Sequence, residues 1–169
     1  MGKQAEFLRM QKPLKDKYRS EPGSSLITLE AKASQEDTPI SCSVDIGRAV
    51  YEAEAHAGVG GTGVAACSGD LLLAALAACA QVTCQMVAEA MGIETERIEV
   101  KVEGEVDLSG TLGISKETPV GLESIRTTFE VEAPGATKEE LGKLRRKTEQ
   151  YCVVFQTLVR PPRLETEWS

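Results

Sequence analysis

Few side chains in this chain can carry covalent chemistry: five cysteines, at positions 42, 67, 79, 84 and 152, and one histidine, His56. One histidine cannot build a multi-histidine metal site within a chain. It also leaves a single candidate base for any Ser-His-Asp or Cys-His mechanism. Five cysteines cannot all pair within one chain. The counts therefore favour sulfur chemistry over imidazole chemistry, with thiolates that attack, oxidise and pair transiently.

The cysteines differ in their surroundings. Cys42 lies on the apolar side of an alternating segment and reads as a small buried hydrophobe. Cys84 follows Cys79 by five residues; at roughly 100° per residue the two point ~140° apart, and Cys84 reads as core. Cys67 sits just before Ser68, the expected N-cap of a long helix. Backbone N–H groups and the dipole there can lower a thiol below its usual ~8.5, so local chemistry makes Cys67 the best reactive thiol; its plain reading is a loop cysteine. Cys79 lies eleven residues beyond Ser68, too deep for a dipole whose effect fades within the first turn. If Cys79 is a nucleophile, another group must hold its thiolate. By pattern alone Cys79 and Cys152 both read as core, and nothing in their spacing shows that they meet. His56 falls on the polar face of a strand with Glu52 and Glu54, where it either lines a site or is exposed.

The elements that would position these residues follow from periodicity. Residues 3–19 suggest a short charged helix interrupted at Pro13, with Leu14 and Tyr18 on one face. Period-two alternation predicts strands over 27–33 and 40–46, and residues 48–57 continue as a hairpin after Gly47. The glycine-rich loop 58–63 lacks the Lys-Ser/Thr ending of a phosphate loop, and no GxGxxG opens a helix, so no nucleotide cofactor is expected. Ser68 to Gly92 reads as a helix with Asp70 in its first turn and Gly92 as its stop. Its half from 71 to 80 is apolar on every side, as a buried central helix requires. Strands follow over 98–108 and 125–131. Thr137-Lys-Glu-Glu140 is a capping box opening a helix with Leu141, Leu144, Tyr151 and Cys152 on one stripe. A strand over 164–168 is expected last. Strand runs separated by single helices point to an α+β domain with antiparallel sheets.

The 169 residues, 41% apolar and 27% charged, fit one globular domain. A net charge of −7 argues against nucleic acid and anionic membranes as partners. The N-terminal segment has no apolar core of a signal peptide, and the longest apolar run, Leu71 to Ala80, falls short of the ~20 residues a membrane span needs. A cytoplasmic location with reduced thiols is expected.

The stretch Ser68-Gly-Asp-Leu-Leu-Leu-Ala-Ala-Leu-Ala-Ala-Cys79 resembles the helix bearing the first cysteine of the OsmC/Ohr family, the osmotically inducible and organic hydroperoxide resistance proteins. Glu149-Gln-Tyr-Cys152-Val-Val resembles that family's second cysteine motif, where Cys-Pro-Val is more usual. The resemblance covers roughly residues 24–168 and marks 1–23 as an N-terminal extension to an OsmC-like domain over 24–169. It implies antiparallel sheets wrapped around two long central helices in an intertwined homodimer. It also implies a thiol-dependent peroxidase acting on organic hydroperoxides, with Cys79 peroxidatic, Cys152 resolving, no bound cofactor or metal, and a dithiol of lipoyl type as reductant. Family peroxidases place an arginine and a carboxylate near the first cysteine. Arg48 is the best match for the arginine and Arg19 a second; Asp70 is the nearest carboxylate, but Ser68-Gly69 stands where a proline is typical. Cys67 and His56 are additional candidates, with Cys67 an alternative partner for Cys79. The motif Cys67-Ser-Gly-Asp70 marks a divergent branch. This leaves a second function open: a catalytically inactive OsmC-like module that binds a small apolar ligand at the dimer interface.

Overall fold

The computed structural model describes residues 3–28, 31–35, 41–46 and 49–168. They fall into two compact units. The first comprises Met1–Pro13, Ala75–Val102 and Thr127–Ser169; the second comprises Leu14–Ala74 and Glu103–Arg126.

Helix α1, Lys3–Ser20, runs through Pro13 rather than stopping there. Proline removes one N–H from the ladder but leaves the flanking turns free to bond. In the second unit, β1 (Lys32–Gln35), β2 (Ser41–Asp45) and β3 (Val50–Glu54) form an antiparallel sheet in that order. Cys42 pairs with Gln35 on one side and Ala53 on the other. The strand expected over 27–33 is described from Lys32; Ile27 and Thr28 are not part of a strand, and Leu29 and Glu30 lie outside the described residues. A strand needs a partner, and the register with β2 reaches no further than Lys32 opposite Asp45; Leu26 and Ile27 stay exposed. The hairpin into β3 forms as expected, closed by Ile46 N–H to the Ala49 carbonyl at 3.1 Å.

Helix α2, Ser68–Met91, is the longest element. It starts one residue earlier than expected: the Cys67 carbonyl accepts from Leu71 N–H at 3.1 Å, so Cys67, not Ser68, is the N-cap. Gly92 ends it as expected. Its φ of 70° is left-handed, and the bonds Ile93 N–H to Ala88 O and Gly92 N–H to Glu89 O close a Schellman motif. By length and composition α2 could cross a membrane, because the apolar stretch continues past Gln81. In this fold its Leu76, Ala80, Cys84, Val87 and Ala88 are buried.

Strands β4 (Arg97–Glu105) and β5 (Ser124–Glu132) alternate half-buried and exposed residues along their whole length. Glu96 N–H bonds Glu132 O and Glu123 N–H bonds Glu105 O, so the pair is antiparallel. β4 stops short of the expected residue 108 because the Asp107 carboxylate takes Ser109 N–H at 2.8 Å. That Asx cap turns the chain into a short helix, α3 (Leu108–Thr111). Within the second unit, Gly104 on β4 leaves room for Leu73 of α2: a Cβ there would meet Leu122 at 3.1 Å and Leu73 at 3.2 Å.

Helix α4, Lys138–Tyr151, opens on the expected box. Thr137 Oγ1 accepts from Glu140 N–H at 3.2 Å, and Glu140 Oε2 accepts from Thr137 N–H at 2.8 Å. Its Leu144 joins Cys84, Val87, Ala88 and Ile93 in a buried cluster, with Phe129, Val131 and Leu141 packed against it. The helix does not carry through Cys152; a second helix, α5 (Val153–Val159), follows the break. The strand expected over 164–168 does not form. No described strand pairs with it, and Leu164 and Trp168 are exposed.

Candidate functional site: two facing cysteines

In the first unit, residues of α2 meet residues of α4 and the start of α5 in reverse order. Cys79 faces Cys152, Cys84 faces Thr148, and Val87 and Ala88 pack with Leu144. The two segments therefore run antiparallel, and the motifs 73 residues apart in sequence come together.

The break at Cys152 supplies what the middle of α2 lacks. Cys152 takes an extended backbone, φ −72° and ψ 108°. Its N–H still bonds Thr148 O at 3.0 Å, closing α4, and its carbonyl accepts Gln156 N–H at 2.9 Å, opening α5. The Glu149 carbonyl, orphaned by the break, accepts from the Gln156 side chain at 2.8 Å. The N–H groups of Val153, Val154 and Phe155 are then the unsatisfied donors of a new helix start, and they face the two sulfurs.

Cys79 is half-buried and Cys152 only 1% exposed. Burial works against ionisation of Cys79. It is outweighed by Val154 N–H, the Cys152 thiol, the Thr83 hydroxyl and Val153 N–H, and the thiol is held below its ordinary value. Cys152 moves the other way: burial pushes it up, and the Cys79 sulfur, once charged, adds to this against donation from Phe155 N–H. Of the two, Cys79 is the thiol that ionises first, with the Cys152 thiol among its donors. Thr83, one turn beyond Cys79, has its Oγ1 4.0 Å from Cys79 Sγ. Among the described residues, every group that lowers Cys79 is an uncharged donor.

The other described candidates make contacts of their own. Cys67 gives its N–H to Asp70 Oδ2 at 2.9 Å, and that bond, with the Cys67 thiol, holds the Asp70 carboxyl below its usual range. Asp70 is thus the returning half of an N-terminal cap. His56 is exposed; its Nδ1 accepts from Gly58 N–H at 3.0 Å and caps a short 3₁₀ turn over Ala57–Val59. Arg19 pairs with Asp16 at 3.2 Å on the surface of α1. Arg48 lies outside the described residues, as does Gly47. Cys84 is buried and its thiol pushed up by burial, with the Thr148 hydroxyl as a distant donor. That hydroxyl has no hydrogen-bond partner at ordinary distance. Among the described residues no group of three or more His, Cys, Asp or Glu could hold a metal ion.

Sequence reasoning missed Glu54, whose carboxylate gathers the glycine loop. It accepts from Thr62 Oγ1 at 2.8 Å, from Val64 N–H at 2.6 Å and from Ala65 N–H at 3.1 Å. It also missed Thr83, although a hydroxyl four residues from Cys79 shares its helical face.

A three-stranded antiparallel sheet, a long apolar helix and a second helix bringing a cysteine back to it make an OsmC-like fold. The OsmC-like protein family matches residues 60–167 of this chain, and the chain belongs to that family. Its fold is similar to an OsmC-like protein from Mycoplasma pneumoniae, at 18% identity over 80% of this chain and 89% of that one, TM-score 0.67. It is also similar to an OsmC-like protein of unknown function from Vibrio cholerae, at 11% identity over 78% and 94%, TM-score 0.64. An organic hydroperoxide resistance protein from Elizabethkingia anophelis is similar at 22% identity over 80% and 90%, TM-score 0.58. No functionally curated protein matches significantly.

Proposed function

We propose that this chain is a cytoplasmic thiol peroxidase that reduces organic hydroperoxides. The observation that carries the reading is that Cys79, the more readily ionised thiol, faces the buried Cys152 thiol beside the start of α5. The Cys79 thiolate attacks the terminal peroxide oxygen; the O–O bond breaks, Cys79 becomes a sulfenic acid, and the alkoxide takes a proton to leave as alcohol. The Cys152 sulfur then attacks the sulfenic sulfur, giving a Cys79–Cys152 disulfide and water. A dithiol of lipoyl type restores both thiols and departs as its own disulfide.

The same reading includes a homodimer. Leu72, Ala75, Cys79, Val82 and Met86 recur at intervals of three and four along α2, the spacing of a helix–helix seam. Leu72, Val82 and Met86 are 40%, 52% and 40% exposed in the single chain. A second copy of α2 would cover this stripe and put Cys79 beside the interface. Val82→Asp should convert a dimer to a monomer on size-exclusion chromatography with light scattering.

The test of activity is consumption of cumene hydroperoxide with dihydrolipoamide. Cys79→Ser should abolish it, and Cys152→Ser should react once and stall as a sulfenic acid that dimedone traps. Peptide mapping after one equivalent of peroxide should find Cys79 joined to Cys152, not Cys67. A wild-type protein that leaves the peroxide untouched and carries a small apolar ligand in native mass spectrometry would overturn the reading in favour of a binding module.

A further inference from the structure

Two threonines in this fold illustrate a choice a helical hydroxyl must make. Thr157 in α5 bonds back to the carbonyl four residues earlier, Val153 O, at 2.8 Å, the usual resort of a threonine inside a helix. Thr83 in α2 makes no such bond. Its hydroxyl lies 4.0 Å from Cys79 Sγ, one turn back, and both residues are half-buried.

We propose that Thr83 is an activating residue of the thiol site, donating its hydroxyl hydrogen to the Cys79 sulfur when that sulfur is charged. This deepens the peroxidase reading and rests on it for the role of Cys79. While Cys79 is protonated, either atom of the pair can be the donor. On ionisation the sulfur can only accept, so the hydroxyl must turn its hydrogen toward it. The donor favours the charged form over the neutral one, which lowers the pH at which the thiolate forms. A threonine in a helix divides between two χ1 rotamers, and the one taken by Thr83 brings its Oγ1 to the Cys79 sulfur. The direction of the Cys79 titration, with Thr83 among its causes, agrees.

The experiment reads the thiolate without requiring peroxidase activity. Iodoacetamide alkylation of Cys79 is followed by mass spectrometry of its peptide from pH 5 to 10 in wild type, Thr83→Val and Thr83→Ser. Valine keeps the shape and removes the donor; serine keeps the donor. The expected result is a profile displaced to higher pH for Thr83→Val, with alkylation slowed about three- to tenfold on its acid side, as loss of a long bond to a charge implies. Thr83→Ser should stay near wild type. A Thr83→Val profile that superimposes on wild type overturns the proposal. So does a Thr83→Ser profile as displaced as that of valine, which would place the effect in packing. If wild type alkylates readily at low pH but consumes no peroxide, the peroxidase reading fails while this inference about the sulfur stands.

Discussion

Replacing Val153 by proline tests how Cys79 is ionised. The substitution restores the more usual Cys-Pro-Val order of the second cysteine motif. Proline fits the backbone there for three reasons. Val153 is the first residue of α5, the position where proline is best tolerated. Its N–H bonds no backbone carbonyl. Cys152 before it, at φ −72° and ψ 108°, already occupies the extended region that a residue preceding proline requires. The side chain is 68% exposed, so little packing is lost. What does change is the donor set around Cys79, because the Val153 N–H is the weakest of four groups lowering it. A hydrogen bond to a charged group is worth about 1.5–3 kcal/mol, and about 1.4 kcal/mol is one pKa unit. The weakest of four donors among the described residues belongs at or below the bottom of that range, so the Cys79 thiol should move up when it is lost. At a pH below both values the alkylation rate of Cys79 should fall about three- to tenfold, while circular dichroism and the urea midpoint stay near wild type. An unchanged alkylation profile in a folded Val153→Pro protein would refute the role given to this N–H. A protein that no longer folds would refute the backbone argument.

Other perturbations reach other parts of the fold. Leu144→Ala, at 2% exposure in the buried cluster, should cost about 2–5 kcal/mol in urea unfolding; a loss under 1 kcal/mol would place that cluster outside the cooperative core. Thr148→Val removes a buried hydroxyl without a close partner and should be neutral or stabilising by up to ~1 kcal/mol, so a clear destabilisation would count against that environment. Glu54, held by Thr62 and the loop N–H groups, and Glu140, held by Thr137, both lie below their usual value of 4.5. Carboxyls depressed in the folded state stabilise above the unfolded value and lose that contribution as pH falls through the folded one. Thermal stability should therefore drop below about pH 4.5, and Glu54→Gln should flatten that drop; an equally steep profile in the variant would remove Glu54 from its cause.

How much was legible in the sequence depended on how local the determinants are. The capping box at Thr137 and Glu140 and the Gly92 stop involve residues within a few positions of each other, and both form as read. Strand ends depend on partners far along the chain, so alternation alone placed Ile27 and Thr28 in the first strand, where they are not found, and predicted a strand at 164–168 that no described segment pairs with. Pro13 read as an interruption of the helix over 3–19, and α1 runs through it. The break at Cys152 had no sequence signal, since Tyr-Cys-Val-Val contains neither glycine nor proline. Local chemistry favoured Cys67 as the reactive thiol because a helix start is visible in sequence, whereas the backbone donors that reach Cys79, the N–H groups of Val153 and Val154, belong to a helix start far along the chain.

That last point separates two roles for Cys152 that a single substitution confounds. As a resolving thiol, Cys152 acts after peroxide has reacted. As a donor to Cys79, it acts before, by favouring the thiolate. Serine removes the first role but keeps an O–H that can replace the second; alanine removes both. The first-turnover rate with excess cumene hydroperoxide, measured by rapid quench from pH 5 to 10, should therefore follow wild type in Cys152→Ser. On the acid side of the profile it should be lower in Cys152→Ala by about tenfold, as a lost donor to a charge implies. Both variants should stall at sulfenic acid. At a pH well above the Cys79 value the two rates should converge, because the thiolate then forms without help. Equal first-turnover rates for serine and alanine across the whole pH range would mean that Cys152 only resolves, and that the backbone of the α5 start and the Thr83 hydroxyl suffice to hold the charge on Cys79.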